Sequence, residues 1–183
     1  MSPADSLYRQ VLGADFDSLG RELQIFHSMA GNVSLPGRCE VKSPHSAIGR
    51  LMGKVFSLPK AMAETDFLFE LDADSGQETW RRHYPGRMMI SRMQVKSGTL
   101  VERLGPVDLH FKLKADSGRL TMLLQRITVC GIPCPRFLVP SVLAEETASP
   151  GKLHFNVAAH LPLVGVLAEY RGYLKIEQEE IAL

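Results

Sequence analysis

Trp80, Arg82 and Tyr84 occupy alternate positions in one short stretch, Gln77 to Tyr84. A strand places every second side chain on one face, so these three would point the same way. A guanidinium held between two aromatic rings can grip an anionic head group while the rings pack against apolar parts of a guest. The plainer reading is that Arg82 pairs with an internal carboxylate, Glu102 being the candidate, and that the triplet is structural. Both readings put Arg82 inside.

Other chemistry-bearing residues give weaker patterns. His83 titrates near neutrality, but it alternates to the face opposite Trp80 and fits a surface histidine in a hairpin. No Ser or Cys stands in a nucleophile context, so no triad can be named. Cys130 and Cys134 are separated by three residues, whereas the redox motif has two. A zinc site needs about four ligands, which only Cys39 and scattered histidines could complete, and all three cysteines are expected to be buried structural ones. Glu145 and Glu146 face opposite ways if extended, and Glu78 with Glu102 would form a carboxylate pair only in the right register. Met88, Met89, Met93 and Met122 suit either ordinary core filling or the wall of an adaptable cavity.

These residues need elements to hold them. Leu7 to Leu12 reads as a short helix stopped by Gly13. Phe16, Leu19, Leu23 and Phe26 recur at helical steps, with Asp15 or Asp17 as cap and Gly20 weakening the run. Gly31 to Val41 is extended, interrupted at Pro36-Gly37. A further amphipathic helix is expected from Ser46 to Phe56, ended by Pro59.

After Glu64 the chain alternates with period two. Val107, Leu109, Phe111 and Leu113 face one way, and Asp108, His110, Lys112 and Lys114 the other. Leu71 to Gly76 and Leu113 to Gly118 share the phrase apolar-x-Ala-Asp-Ser-Gly and are expected to form two similar hairpins. Ile127 and Val129 fall out of phase with Leu120, Met122 and Leu124, the signature of a β-bulge. A Pro-rich connection, Gly131 to Pro140, precedes a final pair of strands around Leu153–Val157 and Ala168–Ile176, linked through Leu161 to Gly165.

Eight or so antiparallel strands in series exceed what a flat sheet holds comfortably. Closure removes exposed edges. The expected class is α+β, mostly β: a strongly curved antiparallel meander or closed β-barrel with two to three helices in the N-terminal third. Residues 1–183 form one domain, with a mixed part over 1–60, strands over 61–176 and a loose tail over 177–183.

The 183 residues are 45% hydrophobic and 22% charged, with net charge +1, an ordinary globular composition. Only Arg81, Arg82 and Arg87 cluster, so nucleic acid is not expected as a partner. No signal peptide or membrane-length apolar run is present, and three cysteines do not make a disulfide framework. The expected location is cytoplasmic.

Several phrases together carry a resemblance. Trp80-Arg81-Arg82-His83-Tyr84 fits Trp-x-Arg-x-aromatic, with Ser91 beyond it. Glu102 to Pro106 fits Glu-x-x-Gly-Pro, and Gly131 to Pro135 fits Gly-x-Pro-x-Pro. Pro162 to Gly165 and Tyr170 to Leu174 fit Pro-x-x-Gly and Tyr-x-Gly-x-Leu, and Leu7 to Gly13 also matches. In these the chain resembles the bacterial domain-of-unknown-function family numbered forty-one sixty-six. The resemblance implies a domain found alone or C-terminal to a dehydrogenase-like nucleotide-binding domain. No catalytic residues come with it. No Gly-x-Gly-x-x-Gly fingerprint occurs here, so no cofactor is expected.

Taken together, the residues favour a binding domain. A small amphipathic or lipid-like molecule would occupy a cavity of the curved sheet, with Trp80, Arg82, Tyr84, Glu102 and Tyr170 as ligand-binding residues. One alternative is an enzyme or accessory domain acting with a dehydrogenase-like partner, which requires His83, Glu102 or Glu78 to converge in one cleft. Another is a protein-interaction module.

Overall fold

Period-two alternation builds the molecule. The computed structural model describes residues 6–42, 61–74, 76–161 and 165–176. Within them lie strands β1 (Gly31–Lys42), β2 (Met62–Ala73), β3 (Gln77–Tyr84), β4 (Arg87–Lys96), β5 (Thr99–Leu104) and β6 (Val107–Asp116). They continue as β7 (Arg119–Val129), β8 (Ile132–Pro133), β9 (Ser141–Ser149), β10 (Lys152–Leu161) and β11 (Gly165–Lys175). Each of β1 to β7 pairs antiparallel with the next, then β7 pairs β9, β9 pairs β10 and β10 pairs β11. The circuit closes where β11 pairs β1, Gly37 opposite Leu174 and Tyr173 opposite Arg38. Ten strands thus form a closed antiparallel barrel, and the two-residue β8 hangs from the end of β7. The strands outnumber the eight or so read from alternation. The strand missed was β9, whose inward positions, Val142, Ala144 and Glu146, alternate too weakly in hydrophobicity to announce themselves.

Local chemistry sets the corners. Ser97-Gly98, Ser117-Gly118 and Cys130-Gly131 each have positive φ at both residues (49° and 70°, 52° and 81°, 51° and 81°), as a two-residue hairpin turn requires. The Asp74-Ser75-Gly76 phrase does not repeat that turn. Three residues separate β2 from β3, and Asp74 Oδ1 accepts from the N–H groups of Gly76 and Gln77 at 2.8 Å each. The same words make two different turns because one Ala-Asp lies inside the ladder and the other falls at its end.

The bulge is at Gln125: His110 pairs with Arg126 but Phe111 with Leu124. One extra residue switches the phase, so Leu120, Met122, Ile127 and Val129 all turn inward. Pro36 does not interrupt β1. It sits one residue before the ladder to β11 begins at Gly37, where a missing N–H costs no bond on that side. Gly172 lies opposite Phe155, and a Cβ there would come within 2.8 Å of both the Phe155 ring and Cys39 Cα.

One end of the barrel is stoppered by α1 (Leu7–Leu12), a 3₁₀ turn (Gly13–Ser18) and α2 (Arg21–Phe26). Leu7, Tyr8 and Leu23 are fully buried and Phe26 nearly so, each apolar side chain contributing about 1.5–3 kcal/mol of transfer free energy. Ser6 caps α1 by accepting the Arg9 N–H at 3.2 Å. Neither Asp15 nor Asp17 caps α2: Asp17 binds the Arg9 guanidinium at 2.7 Å, and Gly20 holds the cap position. The helical run breaks at Leu19-Gly20 because Gly20 docks on the β6–β7 turn, its N–H donating to the Gly118 carbonyl at 3.0 Å. A Cβ on Gly20 would meet that of Ala148 at 2.6 Å.

The opposite end carries the Pro85-Gly86 and Gly105-Pro106 turns and the connection from β7 to β9. The expected helix at 46–56, the Leu161–Gly165 link over 162–164 and the tail over 177–183 lie outside the described residues. No helix among the described residues is long and apolar enough to cross a membrane.

Candidate functional site

Inward-facing side chains of β2–β7 and β9–β11 enclose a cavity of about 230 Å³ between the helical stopper and the far mouth. A ten-stranded barrel is wider than the eight-stranded kind whose side chains just fill it, and the surplus is this space. Near the mouth its walls are apolar: Leu104, Val107, Leu109, Val142, Val157 and Ala159. Phe69, Trp80, Met93 and Leu153 form the deep end against Phe26 of α2. Met89, Met93 and Met122 belong to the buried core and also line the cavity, so both readings of the methionines apply to them. Met88 departs from both: alternation turns it outward, 45% exposed.

The five residues singled out from sequence, Trp80, Arg82, Tyr84, Glu102 and Tyr170, all line this one cavity. Arg82, on the middle of β3, donates to Ser91 Oγ at 3.1 Å and faces Glu102 Oε1 at 3.5 Å. Its guanidinium carbon lies 4.9 Å from the Trp80 ring centroid. Burial alone would lower the pKa of Arg82, but Glu102 first, then Tyr170 and Tyr84, hold it above its ordinary value. Burial likewise pushes the Tyr170 hydroxyl up to about 12 and raises that of Tyr84, so both are neutral donors at physiological pH. The plain and the functional readings of Arg82 therefore coexist: it has its carboxylate, and the pair faces open space.

Glu78 and Glu102 do not form a two-carboxylate site. Met93 stands between them in the row Glu78–Met93–Glu102, two strand spacings, about 9–10 Å, apart. Glu78 accepts from Trp80 Nε1 at 2.9 Å, and burial raises its pKa. Glu145 and Glu146 part as alternation requires, Glu145 outward to Arg119 at 3.0 Å and Glu146 inward. His83 points out of the barrel and binds Glu70 at 2.9 Å, so the convergence that an enzyme reading needed from it does not occur. The cysteines depart from expectation. Cys39 is buried, but Cys130 is exposed and Cys134 half-buried, because Cys130 occupies the left-handed corner before β8. Among the described residues, no cluster of three His, Cys, Asp or Glu side chains could hold a metal.

One buried group escaped the sequence reading. His27, at the end of α2, binds Glu146 Oε2 through Nε2 at 2.7 Å, and the Tyr8 ring lies over it with centroids 3.7 Å apart. Burial first, then Glu146, raises the Tyr8 pKa well above the usual phenol value. A signal was present: His27 falls four residues after the core residue Leu23, on the buried side of the helix.

No curated protein matches the chain. Among solved structures it is similar to the crystal structure of Rv2717c from M. tuberculosis, at 9% identity and a TM-score of 0.43, over 87% of this chain and 99% of that one. A family model described as Domain of unknown function (DUF4166) matches residues 19–174. That span runs from the docking point of the stopper to the last cavity-lining position of β11, so the chain belongs to the family described as Domain of unknown function (DUF4166).

Proposed function

We propose that this protein binds a small amphipathic molecule inside its barrel, polar end against Arg82, Ser91 and Glu102 and apolar part along the wall toward the mouth. The cavity carries this reading. Protein interiors normally close-pack, and an apolar space of about 230 Å³ is stabilising only when something fills it. At roughly 10–15 Å³ for each water-sized occupant, about 230 Å³ admits on the order of 15–23 such units. Ligand pockets commonly combine apolar walls with a few convergent polar groups, and this one sets a single ion pair among aromatic, methionine and aliphatic side chains. Tyr84 and Tyr170 add two neutral donors on the mouth side of Arg82.

The test is to isolate the protein under gentle conditions and record its mass in native and denaturing spectra, with solvent extraction of the same sample. A stoichiometric excess that extraction removes is expected. Val157→Phe projects bulk into the cavity and should lose the excess while keeping the barrel's circular dichroism. Retention of the same guest by that variant, or failure of the wild type to carry or take up any apolar molecule, would remove the basis for the reading.

A further inference from the structure

The charges lining the cavity narrow what its guest can be. Among the described lining residues there is one cation, Arg82, and there are two carboxylates, Glu102 and Glu146. Glu146 is taken by His27 at 2.7 Å. Glu102 stands 3.5 Å from Arg82, with only 10% and 13% of the two side chains exposed. The cation is therefore already balanced before any guest arrives.

A guest with an ionised carboxylate would place a second negative charge beside Glu102 on the same guanidinium, in a medium where like charges interact far more strongly than in water. A guest with an ammonium group would meet Arg82 itself. An uncharged hydroxyl or amide has neither problem. Among the described residues, the one directional hydrogen bond Arg82 donates goes to Ser91 Oγ, and a guanidinium has five N–H donors. A hydroxyl oxygen can accept one of the others. Its hydrogen can be donated to Glu102, whose 3.5 Å approach to Arg82 is too long for a good charge-assisted bond and leaves acceptor capacity. An oxygen lying beside the pair, on its cavity side, can reach both.

Resting on the binding reading above, we infer that the cavity selects an uncharged amphiphile ending in a hydroxyl or amide group and discriminates against fatty carboxylates and amines of the same length. Glu102 is the specificity-determining residue. It makes Arg82 a hydrogen-bond donor rather than an anion receptor.

The protein's single tryptophan, Trp80, lines the cavity and reports occupancy directly. The full chain, stripped of bound molecules, is titrated with 1-decanol, decanoate and decylammonium at neutral pH while Trp80 emission is followed. Decanol should bind at least tenfold more tightly than either ion. In Glu102→Gln the order should change, decanoate gaining at least tenfold while decanol changes little. Decanoate equal to or tighter than decanol in the wild type, or decylammonium tightest, overturns the inference and leaves the binding reading intact. An unchanged ratio in a folded Glu102→Gln protein removes Glu102 from the specificity role. No response to any of the three probes overturns both the inference and the reading on which it rests.

Discussion

Among the described residues, two polar contacts inside the barrel each use a carboxylate, and they are built differently. At the stoppered end His27 and Glu146 meet at 2.7 Å, with side chains 0% and 10% exposed, under the Tyr8 ring and against Phe26. Halfway along, Arg82 and Glu102 stand 3.5 Å apart and border open space. The first pair joins a helix end to a strand distant in sequence and is closed to hydrogen-bond distance. The second joins nearby parts of one meander, β3 and β5, and lines the cavity. A buried pair held at hydrogen-bond distance contributes to the fold; one held loosely beside a cavity leaves hydrogen-bonding capacity for a guest. Distance and surroundings separate the roles, since both contacts bring a carboxylate to a nitrogen-bearing side chain.

Removing one partner of the tight pair should have the largest effect. Glu146→Ala leaves the buried His27 ring without its hydrogen-bond partner and should cost up to about 3 kcal/mol, the penalty for a buried polar group left unsatisfied, read as a lowered urea midpoint. Glu102→Gln should cost less, about 1–2 kcal/mol, because the amide keeps an acceptor oxygen facing Arg82. Equal costs for the two variants would erase the distinction drawn between the pairs.

An effect of intermediate size comes with pH. Burial lifts the Cys39 thiol to about 11, above the ordinary thiol value near 8.5. A group whose folded pKa is raised contributes stability that is complete below its unfolded pKa and is lost as pH rises through the folded one. The urea midpoint should therefore fall between about pH 8.5 and 11, with a shallower fall in Cys39→Ala. An identical slope in the variant would assign the alkaline loss to other groups.

The smallest effect belongs outside the barrel, where Arg103 binds Asp108 at 2.6 Å with the arginine side chain 46% exposed. Its hydrogen bond holds the Asp108 carboxyl below its ordinary pKa, so the pair stabilises above about pH 4 and fails as pH drops through the depressed value. Arg103→Ala should cost under about 1 kcal/mol, as exposed pairs do, and a loss comparable to Glu146→Ala would mean that exposure does not govern the ranking.

Much of this was legible in the residues, for identifiable reasons. Trp80, Arg82 and Tyr84 share a face because a strand leaves no choice, and Glu102 meets Arg82 because short turns keep neighbouring strands adjacent. The bulge showed as a broken phase between Leu124 and Ile127. The His27–Glu146 contact spans 119 residues and depends on how the stopper docks, which no local pattern encodes. β9 was hidden by small and charged inward residues. The repeated Ala-Asp-Ser-Gly phrase misled because turn chemistry depends on where the ladder ends as well as on residue type.

The seam between β1 and β11 bears on how the chain reaches its fold during synthesis. Arg171 reaches Glu40 across 131 residues, so the first strand to leave the ribosome must wait for the last before the circle can join. Until then β1 and β10 are raw edges, each able to recruit a stray strand from another nascent chain. Such a long-range closure makes for slow folding, and a ribosome stalled before β11 would release a half-made cylinder prone to aggregation.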